Sequence, residues 1–424
     1  MTPFWIDEGR DVRLDYDDLV EELTEREERR PVVYTDDPSE VLIEVLLAIL
    51  TKSDLTLLDA EFSEETLASL GYEPDVPSQP EPVPEVAIAD AEELPSRIEA
   101  ADDQWALTLY TSGTTGTPTP VEQTLDTLTR SVRRDDRFEE HVWAFAYNST
   151  HLAGLQVFFQ AVLNRNPMVY VFEQPTDRIG DLIERYGITH VSATPTFYRL
   201  RLQGLSGTYE SVRRLTSGGE KFEPSLRDAL RESFPNAEFR NVYAITEAGS
   251  LLESDGELFR IPEDRSDQLD VMDDGELIVH RSLLGRSVTD DLDGEWFHTG
   301  DVVEYVDENE FRFVGRESDF VNVGGYRVNP HEVERRINDV DGVELAVVTV
   351  RDSSVTGNVL VAEVQPAAGL DPAVVERRVE AAIDELERWK RPRIVETVDG
   401  VDRSRSGKRV RAGDDGERVH TRGE

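Results

Sequence analysis

The run YTSGTTGTPTP, from Tyr110 to Pro120, sets four hydroxyl side chains, those of Thr111, Ser112, Thr114 and Thr115, around Gly113 and Gly116. Small residues let backbone N–H groups come close to an anion, and hydroxyls can donate to phosphate oxygens, so the run reads as a phosphate-cradling loop. A run of Ser, Thr and Gly is by itself as often a plain turn as a site. Its weight comes from three motifs that follow in order. These are NVYAITEAG (Asn241 to Gly249), the stretch from Phe297 to Glu334 that holds HTGD, VGR and VNVGGYRV, and DRSRSGKRVR (Asp402 to Arg411). The last contains Lys408, one of four lysines with Lys52, Lys221 and Lys390, and a flexible ammonium suits charge that develops on phosphate or carboxylate. The chain has no cysteine, so chemistry at sulfur would have to use a partner's thiol.

The elements that must position these motifs follow an α/β pattern. PVVY (Pro31 to Tyr34), a helical stretch after Pro38 and LTLL (Leu55 to Leu58) read as a βαβ unit. The Pro- and Glu-rich segment from Gly71 to Pro95 reads as an extended connector. From LTLY onward, strand-like and helix-like segments alternate as far as EFRNVY, which predicts a large, mostly parallel, helix-covered sheet. The phosphate loop is expected to leave the strand ending at Tyr110 and to open into a helix after Pro120. Beyond Asp270 come short β segments, GELIVH, EWFHTGDVVEYV and EFRFVGR, and then a small α+β unit beginning near residue 317.

Together the four motifs resemble the adenylate-forming superfamily of acyl-CoA synthetases, adenylation domains and luciferases, over about three quarters of the chain. The resemblance implies ATP-dependent activation of a carboxylic acid as an acyl-adenylate, then transfer to a phosphopantetheine thiol, with ATP, Mg²⁺ and coenzyme A as cofactors. It implies a large ATP- and acyl-binding domain over residues 1–316, with a shortened N-terminal part, a hinge at 317–319 and a mobile lid over 320–424. On the matching positions, Thr111, Ser112, Gly113, Thr114, Thr115 and Gly116 would hold the ATP phosphates. Gly218, Gly219 and Glu220 would border adenine, Tyr243 would stack on it and Asn241 would lie near its amino group. Thr246 would contact phosphate and Glu247 would bind Mg²⁺, since a metal between a carboxylate and a polyphosphate neutralises both. Asp301 and Arg316 would hold the ribose, Lys408 would act in adenylation, and Gly324 and Gly325 would line the path of the thiol. Two positions depart from the family's pattern: Thr119 stands where a lysine usually follows the phosphate loop, and Ala244 where glycine usually follows the tyrosine.

The acyl pocket is expected from His151 to Phe158, from Ala193 to Phe197, and from Ser217, Val242 and Ala248. In it Gly154 and Gly249 would leave space, Leu155, Phe158 and Val242 would make the lining apolar, and His151 would cap it. An aromatic or medium-length fatty acid fits such a pocket. An amino acid does not, because Ala146 follows Phe145 where relatives that bind an α-ammonium carry aspartate. A carrier protein presents the same thiol as coenzyme A, so a ligase that loads an acyl carrier protein is an alternative. A nucleotide-binding regulator with weak turnover is another, motivated by Thr119 and Ala244.

With 88 acidic against 45 basic residues the formal charge is −43, which disfavours binding to nucleic acid or anionic lipid. The acid is spread along the chain and lysine is scarce, a composition that resembles salt-adapted proteins. The longest apolar stretch, Val41 to Leu50, is short and carries Glu44, so no membrane span is expected. The first residues lack a basic start followed by an apolar core, so the expected location is the cytoplasm.

Overall fold

The computed structural model describes residues 2–73, 80–101, 105–111, 118–202, 205–220, 222, 224–286, 292–307, 309–323, 326–353, 357–398 and 400. The chain forms two compact units. The first is Met1–Val271 with Ile278–Thr299 and Tyr305–Arg312; the second is Met272–Leu277, Gly300–Glu304 and the chain from Phe313 on.

The strands of the first unit are, in chain order, β1 (Pro3–Asp7), β2 (Val12–Asp15), β3 (Val32–Tyr34), β4 (Leu55–Leu58), β5 (Leu107–Thr111), β6 (Thr119–Gln123), β7 (Trp143–Phe145), β8 (Met168–Tyr170), β9 (His190–Ala193), β10 (Arg214–Gly218), β11 (Glu238–Ile245) and β12 (Gly249–Ser254). The main helices are α1 (Pro38–Thr51), α2 (Leu152–Val162), α3 (Thr176–Tyr186), α4 (Pro195–Leu202) and α5 (Pro224–Ser233). Eight strands form one sheet in the order β12-β11-β10-β9-β7-β8-β1-β2. Its six inner strands are parallel, and an antiparallel strand closes each edge. A second sheet, β3-β4-β5-β6, is parallel except for β6.

Alternating residues of the central strands serve opposite faces, as the pleat requires. Trp143 and Phe145 join one core with Phe4, Met168 and the α1 residues Leu42 and Leu46. Ala144 and Ala146 join the other with Ile179 and Leu182 of α3 and Leu226 and Leu230 of α5. Coverage on both faces explains why these strands read as apolar runs rather than alternating ones. The helix α1 starts where Asp37 accepts from the N–H groups of Ser39 and Glu40 at 2.9 and 3.4 Å, with Pro38 in the first turn. It is apolar nearly all round because it is buried nearly all round.

A five-stranded sheet of β13 (Leu269–Val271), β14 (Glu276–His280), β15 (Leu292–Asp293), β16 (Trp296–Tyr305) and β17 (Phe311–Arg316) contributes segments to both units. The rest of the second unit is β18 (Val321–Val323), β19 (Tyr326–Val328), α6 (Pro330–Asn338), β20 (Val343–Ser353), β21 (Gly357–Pro366), α7 (Pro372–Ile383) and β22 (Ile394–Thr397). Val333 and Ile337 of α6 and Val375 and Val379 of α7 bury against Ala346, Val348, Leu360 and Ala362 of the β20–β21 hairpin. This is a self-contained α+β core. The segment at 317–319, expected to be the hinge, is a single 3-10 turn, Glu317–Asp319.

Two local expectations are corrected. The residues directly after Pro120 do not begin the helix: β6 runs antiparallel to β5, with Thr111 opposite Thr119, and a short helix starts only at Leu125. In the Pro- and Glu-rich connector, Glu81–Pro82 pairs with Glu28–Arg29, and a short helix starts at Leu94 with Pro95 in its first turn.

Candidate active site

The strand order of the large sheet reverses at β7: β8 lies on one side of it and the next strand, β9, on the other. In open α/β sheets ligands bind outside the carboxyl ends of the strands at such a reversal. The segments that leave these ends are residues 146–151 after β7 and residues 194–197 after β9. Beside them lie the exits of β10 and β11, where the register sets Ser217 against Asn241 and Gly218 against Val242. The sheet therefore gathers several of the expected positions at one edge.

Several of these positions have local partners. The Glu220 carboxylate accepts from the Thr196 N–H at 3.1 Å and the Thr196 hydroxyl at 2.5 Å, so it secures the first turn of α4. Asn241, 5% exposed, donates its amide to the Gly256 carbonyl at 2.9 Å and ties β11 to the chain beyond β12. Tyr243 is half-buried rather than lost in the sheet, and the register with β12 shifts between it and Ala244. The Ser217 hydroxyl is fully buried and has no hydrogen-bond partner among the described residues.

Thr246 and Glu247 are half-buried in the turn from β11 to β12. Gln123, at the end of β6, donates to the Thr246 carbonyl at 2.6 Å and accepts from the Thr127 hydroxyl at 2.9 Å. The Gly285 N–H donates to the Glu247 carbonyl at 2.8 Å. The strand that returns from the phosphate loop thus fixes the backbone of the Thr–Glu turn. Sequence reading passed over Gln123 because only the hairpin brings it there. At the loop itself, the Thr111 hydroxyl donates to the Thr119 carbonyl at 3.4 Å, and Thr119 is exposed. The segment between them therefore joins two antiparallel strands rather than a strand and a helix.

His151 is the N-cap residue of α2, and its ring makes no capping bond. Its Nε2 instead lies 3.0 Å from Oδ2 of Asp59, the residue after β4. Asn148 donates to the same oxygen at 3.1 Å, and the Glu61 N–H donates to Oδ1 at 3.0 Å. Burial would raise the Asp59 carboxyl, but its hydrogen bond and charge contact with His151, aided by Glu61 and Asn148, outweigh this and hold it below the usual carboxylate range. Asp59 is the second residue that sequence reading missed. Its signal was an acid at the carboxyl end of a parallel strand.

The apolar lining expected from α2 is corrected. Leu155 and Phe158 are fully buried in the core, where Phe158 meets the Phe4 ring edge-on at 6.3 Å. Neither glycine opens space for a ligand. A side chain at Gly154 would collide with the Asn148 carbonyl, and Gly249 has φ +76° with the Thr127 carbonyl 2.6 Å from where a Cβ would sit. Ala248 is buried as well, while Val242 is half-buried.

In the second unit, Asp301 on β16 is 8% exposed and accepts from Arg316 Nε at 3.2 Å. The Arg316 N–H donates to Asp319 at 3.2 Å, so the end of β17 is tied to the 3-10 turn that follows it. Ser112, Gly113, Thr114, Thr115, Gly116, Gly324, Gly325 and Lys408 lie outside the described residues. No group of three or more His, Asp or Glu side chains able to hold a metal occurs among the described residues. A lone carboxylate such as Glu247 fits Mg²⁺ that is held mainly by phosphate oxygens and water.

The sequence matches the AMP-binding enzyme family over residues 30–269 and the AMP-binding enzyme C-terminal domain over residues 332–408. It is 27% identical to a 2-succinylbenzoate–CoA ligase of Listeria monocytogenes, over 74% of this chain and 71% of that protein. It is 26% identical to 4-coumarate–CoA ligase 4 of Arabidopsis thaliana, over 77% of this chain and 64% of that protein. Among solved structures, the fold matches the o-succinylbenzoate CoA synthetase of Bacillus subtilis in complex with its acyl-adenylate intermediate, with a TM-score of 0.69 at 18% identity, covering 96% of this chain and 94% of that one. It also matches ATP-bound MatB from Rhodopseudomonas palustris, with a TM-score of 0.70 at 20% identity and the same coverage. The first match takes in more than half of the chain and the second adds the family's own C-terminal domain, so this chain belongs to the AMP-binding, adenylate-forming enzymes.

Proposed function

We propose that this AMP-forming acid–thiol ligase activates an aromatic or medium-length fatty carboxylate with ATP and passes the acyl group to the thiol of coenzyme A. The observation that carries the reading is the Thr246–Glu247 turn at the carboxyl edge of the sheet, pinned by Gln123 from the strand that leaves the phosphate loop. Such a turn would present a hydroxyl and a carboxylate beside the triphosphate. Mg²⁺, when bound through Glu247, would neutralise charge on the phosphates. Gly218, Gly219 and Tyr243 would receive adenine, Asp301 and Arg316 the ribose, and Lys408 would stabilise charge as the carboxylate attacks the α-phosphate. Gly324 and Gly325 would admit the pantetheine arm. An aromatic acid is favoured because two of the similar proteins act on 2-succinylbenzoate and 4-coumarate. With Leu155 and Phe158 in the core, specificity would fall to His151, Val242 and the chain after β9.

The test is carboxylate-dependent ATP–pyrophosphate exchange with Mg²⁺ in molar KCl, screened over aromatic, fatty and dicarboxylic acids. Exchange with an aromatic acid, reduced about 10²-fold or more by Lys408→Ala, is the expected result for removal of a transition-state charge partner. Folded, ATP-binding protein that exchanges with no acid would instead support the regulatory reading. An acyl-adenylate that acylates a carrier protein but not coenzyme A would move the acceptor.

A further inference from the structure

Asp59 has no assigned part in the reaction and His151 only that of an acyl-pocket cap, yet the placement of the pair is specific. Strands β4 and β5 run parallel with Leu55 beside Leu107 and Thr56 beside Thr108. Continued to the strand ends, this register brings Asp59 level with Thr111, where the phosphate loop begins. His151 comes to the same edge from the other sheet, following β7 at the reversal of strand order. The ring is one third exposed and is not spent on capping α2. Asn148 reinforces the arrangement: its amide donates to Asp59, and its own carbonyl oxygen accepts from the Thr150 N–H and hydroxyl, each at 2.9 Å.

An ionised carboxylate only accepts hydrogen bonds, so the ring proton of a neutral His151 must sit on Nε2, which leaves Nδ1 as an acceptor. An acceptor gains nothing from the acyl carbonyl or the phosphates, which are acceptors themselves. Among the reactants of an acid–thiol ligase, the thiol is the group that brings a proton to be removed. We propose that Asp59 is a positioning residue that fixes this tautomer, and that His151 Nδ1 takes the proton of the incoming thiol. As the sulfur bonds to the acyl carbon, the bond from that carbon to the phosphate oxygen breaks and AMP leaves with the electron pair. This inference rests on the ligase reading above.

Asp59→Asn separates the possibilities, because the amide keeps the size of the side chain but can donate to Nε2 and drive the ring proton to Nδ1. Nitrogen-resolved NMR of the imidazoles, with His151→Ala to identify the signal, reads the tautomer without any turnover. The expected result is an Nε2–H ring in the wild type and an Nδ1–H ring in Asp59→Asn. Pyrophosphate exchange should fall far less than single-turnover transfer from preformed acyl-adenylate to the thiol, which should drop about 10²-fold, the scale of a lost general base. Asp59→Asn should have no further effect in a His151→Ala background. A wild-type ring protonated on Nδ1, an equal fall in both half-reactions, or an undiminished effect without His151 would overturn the proposal. Failure of exchange with every acid, alongside the expected tautomers, would count against the ligase reading instead.

Discussion

A methyl group at residue 154 would run into the Asn148 carbonyl, and Asn148 is the residue that braces Asp59. Alanine in a helix is worth about 1 kcal/mol more than glycine, whereas forcing atoms into a packed site costs about 1–3 kcal/mol. The collision is with backbone and cannot be relieved by a rotamer change. Gly154→Ala should therefore lose up to about 2 kcal/mol net, read from urea unfolding in molar KCl; a more stable variant would refute this account. The same packing shows what sequence could and could not tell about the site. Thr246, Glu247, Asp301 and Arg316 could be named as candidates from motif order alone. Leu155 and Phe158 were placed in the pocket because an apolar residue at helical spacing looks the same whether it faces a ligand or a core. Asp59 was invisible because its partner lies 92 residues away, at the start of α2.

At the level of single strands, most of the fold could be read in advance. Buried strands give continuous apolar runs such as WAF and MVY, and helices such as α3 place Ile179, Leu182 and Ile183 on one face. The strand β6 escaped because TPVEQ carries Pro120 and Glu122, a pattern suited to an edge position, where a missing N–H does no harm. The start of β9 carries a different liability. His190 is buried against His141, ring centroids 3.8 Å apart, and against Trp143 at 4.7 Å. Burial, then the positive charge that His141, Arg214 and Arg213 would add, pushes His190 down to about 3. The folded protein therefore holds His190 neutral while the unfolded chain takes up a proton below about pH 6.5, so stability drains as pH falls from there toward 3, at up to about 1.4 kcal/mol per unit. His190→Gln should flatten that decline when unfolding is measured from pH 7 to pH 4. A wild-type slope in the variant would assign the acid sensitivity elsewhere.

The whole molecule carries a net charge of −43, and its many surface ion pairs, such as Arg97–Glu93 and Arg378–Asp341, leave most of the acidic excess uncompensated. Exposed pairs of this kind contribute little each, so the dominant surface effect is repulsion among carboxylates. Molar salt cuts the screening length to roughly 3 Å and removes most of it. The melting temperature should rise by about 10 °C or more between dilute buffer and 2 M KCl, which at 2–4 °C per kcal/mol corresponds to roughly 3 kcal/mol. A flat response would remove salt adaptation from the account. The paired strands also impose an order of events on the growing polypeptide. The long β20–β21 hairpin joins residues that emerge almost together, from Ser353 beside Gly357 to Val343 beside Pro366. By contrast Trp5 must wait for Met168, more than 160 residues later, before β1 has its parallel neighbour. Loops of that length close slowly, so β1 is made long before it is secured, and its buried face of Phe4, Trp5 and Tyr16 stays uncovered while the intervening chain is synthesised.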